Sequence, residues 1–306
     1  MIIVRHPHEI DQPTIATIGM FDGVHAGHRS LLQHIRHSAA SRGVASAVIT
    51  FAKHPRLVLN PNTHLQLLTT YDERMQLLAD IGIDYAIVFD FTPEFAQLSA
   101  QQFITTLRND YHIEGLYIGY DHRFGHNRSE GFAEYQAYGK QAGIEVVEAQ
   151  PFDTPVGTPS SSAIRKALAT GNIEQANKLL GYEYTLTGTV IEGHQLGREL
   201  GYPTANIAPN NPLKLLPGIG VYAVRATLPD GSMHNAMMNI GRRPTVNGNE
   251  DITLETHLFD FTGNLYGKTI TITFVAFMRN EERYTSLAAL QQALANDALR
   301  ALEILR

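Results

Sequence analysis

The sequence predicts an α/β chain in two parts: a parallel sheet layered with helices, then a small six-stranded antiparallel β-barrel with a C-terminal helix. Three observations carry this. Up to about residue 150, short β-rich runs alternate with segments of helical spacing, the pattern of a parallel sheet with right-handed crossovers. From Tyr182 onward, six β-rich runs follow one another without an intervening helix, which predicts a closed antiparallel barrel. Between these textures lies a loop of Pro, Gly and Ser over 151–162, then two short helical segments broken at Gly171-Asn172. The change of texture puts the domain boundary near Gly181, giving domains 1–181 and 182–306.

The elements follow in order. Thr14-Ile-Ala-Thr-Ile is β-branched and apolar, as a buried strand should be. Ala26 to Arg42 carries Leu31, Leu32, Ile35 and Ala39 on one side, a helix. Ala45-Ser-Ala-Val-Ile-Thr-Phe, Tyr85-Ala-Ile-Val-Phe, Gly115-Leu-Tyr-Ile-Gly and Ile144-Glu-Val-Val-Glu are further strands, with helices over 72–81, 99–109 and 130–142. In the second half the strands are 185–191, 204–207, 221–228, 233–240, 252–259 and 269–278, joined by turns such as Pro229-Asp-Gly and Thr262-Gly-Asn. Ile270, Ile272, Phe274, Ala276 and Met278 alternate cleanly, so one face of that strand enters a core. A last helix runs from Ser286 to Leu305.

Composition narrows the class. The 306 residues are 43% hydrophobic and 18% charged, enough apolar material for two real cores. No apolar run approaches the roughly 20 residues of a membrane span. The N-terminus lacks the basic start and cleavage site of a secretory signal. Zero cysteines exclude disulfides and thiolate catalysis and fit a cytoplasmic setting. A net charge of −6 argues against a broad grip on nucleic acid, so phosphate-binding cations must be local. The expected partners are small molecules, with no nucleic acid and no membrane; a homo-oligomer is left open.

The stretch Gly19-Met-Phe-Asp-Gly-Val-His-Ala-Gly-His sits at a strand-to-helix turn, where backbone N–H groups and the helix dipole favour phosphate. His25 and His28, three apart, project from one side of the first turn. Gly27 between them allows close approach of a nucleotide. Neutral donors aimed at a phosphate suit nucleotidyl transfer, whose transition state builds charge on non-bridging oxygens. Two further segments, Phe51-Ala-Lys-His-Pro and Gly119-Tyr-Asp-His-Arg-Phe-Gly, also fall at strand ends, where ligands of open parallel sheets bind. Arg165 and Lys166, in the first turns of a helix capped by Ser160-Ser-Ser, oppose its dipole unless an anion is present. In the barrel half, Thr204 and Asn206 share a face and can hold Mg²⁺ against phosphate oxygens; they read equally well as the polar end of a strand. Glu255 is mid-strand with Thr253 and His257 on its face. Inside the barrel it must be paired or serve as a general base; outside, it is merely solvated, and both alternatives stand.

Taken together, these residues resemble the bifunctional bacterial riboflavin kinase/FMN adenylyltransferase (FAD synthetase) family over nearly the whole chain. The N-terminal half matches in Gly19-x-Phe-Asp-Gly-Val-His-x-Gly-His, Thr50-Phe-x-x-His-Pro, Asp121-x-Arg-Phe-Gly and Ser160-Ser-Ser-x-Ile-Arg. The C-terminal half matches in Leu200-Gly-Tyr-Pro-Thr-Ala-Asn, Pro217-x-x-Gly-Val-Tyr, Asn239-Ile-Gly-x-Arg-Pro-Thr, Leu254-Glu-x-His-Leu and Met278-Arg-x-Glu-Glu. The resemblance implies a Rossmann-like nucleotidyltransferase domain followed by a kinase barrel. The barrel would phosphorylate riboflavin with ATP and Mg²⁺, using Thr204 and Asn206 for metal and phosphates and Glu255 as base. The first domain would join FMN to the AMP part of a second ATP, giving FAD and pyrophosphate, with His25 and His28 on the transferring group. Gly19, Phe21, Asp22, Gly23 and Gly27 would lie at the ATP of that step, with Ser161, Ser162 and Arg165. Gly201 and Thr204 would lie at the ATP of the kinase step. His54, Asp121 and Arg279 would contact flavin.

Three positions depart from the family pattern. His122 stands where Phe is usual, Lys53 where Pro is usual, and Ser162 where Thr is usual. The serine keeps the hydroxyl, whereas His122 and Lys53 change polarity on the flavin side. Rival readings are a nucleotidyltransferase acting on another phosphate ester, which needs no barrel motifs, and a flavin-binding store, for which the histidine pair and Glu255 are superfluous.

Overall fold

In the computed structural model the β-branched runs of the first half pair into one six-stranded sheet, every pairing parallel. The structure describes residues 1–120, 122–126, 130–193, 197, 200–244 and 250–306, with the backbone course alone at 243–244 and 250–251. Two compact units emerge, Met1–Pro159 and Ser160–Arg306.

The first unit contains β1 (Ile2–Val4), β2 (Thr14–Ile18), α1 (Ala26–Arg42), β3 (Ala45–Phe51), α2 (Pro55–Leu59) and α3 (Tyr71–Ile81). It continues with β4 (Tyr85–Phe89), α4 (Ala100–Tyr111), β5 (Ile113–Gly119), α5 (Phe132–Ala142) and β6 (Glu145–Ala149). The strand order is β1-β4-β3-β2-β5-β6, so the winding reverses between β2 and β5. β2 and β3 are buried along their whole length, as central strands covered on both faces must be. On one face Ala16, Ile18 and Ala47 pack with Phe103, Ile104 and Leu107 of α4 and Tyr135 of α5. On the other, Ile15 meets Ile35 and Ala39 of α1, and Val48 meets Leu78 of α3. A crevice at the carboxyl ends of the strands, where the order reverses, is where such sheets place ligands.

The second unit opens with α6 (Ser161–Ala169) and α7 (Ile173–Leu180). The barrel is built from β7 (Thr185–Ile191), β8 (Ala205–Pro209), β9 (Gly220–Thr227), β10 (Met233–Pro244), β11 (Glu250–Leu258) and β12 (Thr269–Arg279), closed in the order β10-β11-β8-β7-β12-β9. α8 (Leu287–Ile304) follows. Leu186, Tyr222, Val224, Met238, Ile272 and Phe274 fill the interior, each fully buried. The outward face of β9, β10 and β12 is also apolar, and Val221, Ala223, Met237 and Met278 pack under Leu294, Ala298 and Ala301 of α8.

The division at Pro159/Ser160 lies ahead of the texture change near Gly181, and packing explains the difference. The Asn177 side chain donates to the carbonyl of Phe274 at 2.9 Å and accepts the Tyr184 N–H at 2.9 Å. The Gly218 N–H bonds the carbonyl of Leu168 at 2.8 Å. Helical in texture, α6 and α7 are barrel-bound in packing.

Candidate active sites

At the carboxyl end of β2 the chain turns through Phe21, Gly23 and Val24, all at positive φ (52°, 84° and 35°). A β-branched residue in that region is strained, and such strain persists only where surroundings impose it. Here Phe21 is buried with Val24, Leu32 and Val48. The buried Asp22 carboxylate accepts the backbone N–H groups of Leu68 and Thr69, each at 3.0 Å. Arg74 supports the turn from α3, its guanidinium donating to the carbonyls of Met20 and Phe51 and so joining the ends of β2 and β3. Burial, opposed by the charge of Asp22, brings Arg74 down to about 10. Phe21 and Asp22, expected at ATP, are both buried and hold the shape of the turn. Gly19 likewise gives its N–H to Ile49 at 3.0 Å and makes room for the Phe21 ring.

His25 is the N-cap of α1, and its Nδ1 accepts the His28 N–H at 3.3 Å. That bond places the proton of neutral His25 on Nε2, the outward donor. The two rings stack with centroids 3.6 Å apart and planes 17° from parallel. A Cβ on Gly27 would press on the His25 ring at 3.3 Å, so this glycine is required by the imidazole itself. Burial, and then the neighbouring imidazoles of His25 and His122, hold His28 well below the usual histidine value of 6.5. His28 is neutral at physiological pH, with its Nδ1 buried and without a hydrogen-bond partner among the described residues.

Beyond the carboxyl end of β3, His54 caps α2, its Nδ1 accepting the Arg56 N–H at 3.1 Å. Lys53 beside it is exposed. His122 follows β5; Asp121 lies outside the described residues. In the second unit Ser160 caps α6, its hydroxyl accepting the Ala163 N–H at 3.2 Å. Ser161, Ser162 and Arg165 occupy the first turns of that helix.

In the barrel, register decides the position of Glu255. It pairs across the sheet with Asn206 of β8 and Asn239 of β10. Its neighbours Leu254 and Thr256 are buried in the interior column, so Glu255 faces outward. Neither sequence alternative describes the result, because the outer wall is roofed. Glu255 is half-buried in a cavity of about 550 Å³ lined also by Tyr202, Thr204, Asn239, Arg279, Glu281, Tyr284 and residues of α8. Arg279 forms a two-pronged ion pair with Asp297 of α8 (2.9 and 2.7 Å) and donates to the carbonyl of Asn280. The Asp297 carboxylate raises Arg279 above its usual value, so the guanidinium stays charged and fixes the cavity roof.

Thr204 also lines a second cavity of about 320 Å³ with Val190, Leu258, Phe261, Asn264, Leu265 and Tyr266. Gly201, at φ 85°, makes the turn before it. His257 is tied to the carbonyl of Pro203 at 2.8 Å, which holds that segment against β11. A Cβ on Gly193 would meet the Asn206 amide at 2.0 Å, so the glycine cradles this side chain. The hydroxyl oxygen of Thr204 and the amide oxygen of Asn206 are hard donors that fit a cation such as Mg²⁺. Among the described residues no group of three or more His, Cys, Asp or Glu could hold a metal.

Sequence reading missed Arg74 and Asp297. For Arg74 a signal existed, a cation in the first turns of a helix, the same sign that singled out Arg165.

Two family models match consecutive parts of the chain. The FAD synthetase family model matches residues 7–163 and the riboflavin kinase model matches 180–305. A protein of Haemophilus influenzae named bifunctional riboflavin kinase/FMN adenylyltransferase is 38% identical over 305 residues, covering 97% of each chain. One of the same name from Escherichia coli is 36% identical over 310 residues, covering 99% of this chain and 97% of its own. The crystal structure of a protein named as a macrolide-efflux protein from Streptococcus pneumoniae shares the fold, with a TM-score of 0.88 at 28% identity over 97% of this chain and 98% of that one. Among the described residues, no helix of this chain is long and apolar enough to cross a membrane. With a kinase match and a synthetase match on consecutive parts, each holding a formed site, the chain belongs to the bifunctional riboflavin kinase/FMN adenylyltransferase family.

Proposed function

We propose that the two sites act in sequence on one flavin, the barrel converting riboflavin to FMN and the parallel-sheet unit converting FMN to FAD. The observation that carries the kinase half is that Thr204 lines both barrel cavities. The larger, which holds Glu255, takes riboflavin, and the smaller takes the nucleoside of ATP. The terminal phosphate then meets the flavin hydroxyl at Thr204. Glu255 accepts the hydroxyl proton as the oxygen attacks the γ-phosphorus, and ADP leaves with the electrons of the broken bond. Thr204 and Asn206 would hold Mg²⁺, which when bound offsets the charge of the ATP phosphates.

In the second step an FMN phosphate oxygen attacks the α-phosphorus of ATP, and pyrophosphate departs. The attacking oxygen carries no proton, so no general base is needed. What the site must supply is donors to the oxygens that gain charge, and this is the role of His25 and His28. Ser161, Ser162 and Arg165 are assigned to the triphosphate, and His54 and Asp121 to the flavin side. Gly23 and Gly27 leave the turn open to the nucleotide. The absence of cysteine supports a cytoplasmic location, and the net charge of −6 supports small-molecule rather than nucleic-acid partners.

Incubation with riboflavin, ATP and Mg²⁺, followed by separation of the flavins, tests the reading. The enzyme yields FMN and then FAD; a flavin-binding store returns riboflavin unchanged.

A further inference from the structure

Three histidines follow the carboxyl ends of the two strands at the switch point of the first unit, although only two belong to the Gly19–His28 turn. His122 comes from the segment after the neighbouring strand, β5. β5 lies beside β2 in the sheet, with Thr17 in register with Tyr117, so the segments leaving their carboxyl ends emerge side by side. His122 is the third residue beyond β5, and its N–H bonds the carbonyl of Gly119 at 2.9 Å in a tight turn. The next anchor is firm. Phe124 stacks on Tyr135 at 4.3 Å, and the Tyr135 hydroxyl donates to the Phe124 carbonyl at 3.0 Å. The half-buried His122 ring leans on Phe124 at 6.2 Å. It is close enough to His28 to interact with it electrostatically.

In-line displacement at the α-phosphorus puts attacker and leaving group on opposite sides of that atom. His25 and His28, at the N-terminus of α1, occupy one wall, where the ATP phosphates are favoured by the helix dipole. The β5 wall is left for the attacking phosphate. We propose that His122 hydrogen-bonds the phosphate of FMN there, and thereby selects a phosphorylated flavin as the substrate of the adenylyl step. This rests on the assignment of the His25–His28 site to that step. A phenylalanine in the same place would keep the packing on Phe124 but offer the phosphate nothing.

The test uses the full chain, with FAD formation measured from FMN and ATP. His122→Phe should raise the KM for FMN about tenfold or more, the scale of losing a hydrogen bond to a charged group. The KM for ATP should stay within twofold, and riboflavin phosphorylation should be unchanged. His122→Gln, which restores a donor, should recover part of the FMN affinity. An FMN KM within twofold of wild type, an equal rise in both KM values, or no recovery in the glutamine variant would overturn the proposal. His28→Ala, run alongside, separates this failure from that of the underlying assignment. If it abolishes FAD formation while His122→Phe is normal, only His122 is misassigned; if it makes FAD at full rate, the site itself is.

Discussion

His25 caps the helix that carries His28, and its ring lies 3.6 Å over the His28 ring while its Nδ1 holds the His28 N–H. One side chain thus does two jobs, helix capping and presentation of Nε2–H. The jobs separate by substitution. His25→Ala should lose about 1 kcal/mol of stability with the cap and FAD formation with the donor. His25→Asn, a good cap, should restore the thermal midpoint but leave FAD formation down by about 10²-fold. Recovery of both together would mean that His25 acts only as a cap.

His28 gives a pH prediction of definite sign. Its folded-state pKa is depressed, chiefly by burial. Above pH 6.5 the imidazole is neutral in both folded and unfolded chains, and stability is independent of it. As pH falls below 6.5 the unfolded chain binds the proton and the folded one resists it, so stability is lost progressively down to the folded pKa, by up to about 1.4 kcal/mol per pH unit. Denaturation profiles between pH 7.5 and 5 should therefore be flatter for His28→Gln than for wild type. Parallel profiles would show that His28 protonates freely in the folded state.

The same site marks how far sequence carries. The histidine pair is legible because its spacing is local, three residues on a helix whose start is signalled by a buried strand and a glycine-rich turn. The bonds by which Asp22 and Arg74 hold the turn are not, because their partners lie 46 and 54 residues away. Alternation along β11 gives the period of the strand and separates Glu255 from Leu254. It does not say that the outer face will be roofed by α8, which packs on Val221, Ala223 and Met237 and is tied by the ion pair between Arg279 and Asp297. The six barrel strands and five strands of the parallel sheet were readable from texture; the three-residue edge strand β1 was not. The attachment of α6 and α7 to the barrel, made through the Asn177 side chain and the Leu168 carbonyl, was not.

That attachment predicts the behaviour of fragments. A chain of residues 160–306 retains the bonds from Asn177 to Phe274 and Tyr184 and from Leu168 to Gly218. It should fold and convert riboflavin to FMN without making FAD. A chain of residues 182–306 keeps every barrel strand but leaves these groups unpaired, each at a cost of about 1–3 kcal/mol where buried. It should unfold at lower denaturant concentration while keeping some kinase activity. Equal midpoints for the two fragments would show that α6 and α7 contribute nothing to the barrel.

Glu255 receives the sharpest test, because its outward-facing position would leave it idle in a barrel without a roof. Paired in register with Asn206 and Asn239, and within the larger cavity, it is placed to take a proton from an alcohol bound there. Glu255→Gln keeps size and hydrogen bonding but cannot accept the proton. Loss of a general base costs about 10² to 10⁴ in rate. FMN production should collapse by that amount, while riboflavin and ATP still bind. The same variant supplied with FMN should make FAD at close to the normal rate, since the histidine pair belongs to the other unit. General misfolding would lower both activities, so the pairing of one loss with one retention isolates the chemistry. A near-normal kinase rate would remove Glu255 from the role of base and leave the proton to another group on the cavity wall, with Glu281, whose carboxylate lies over Gly241, the first to examine.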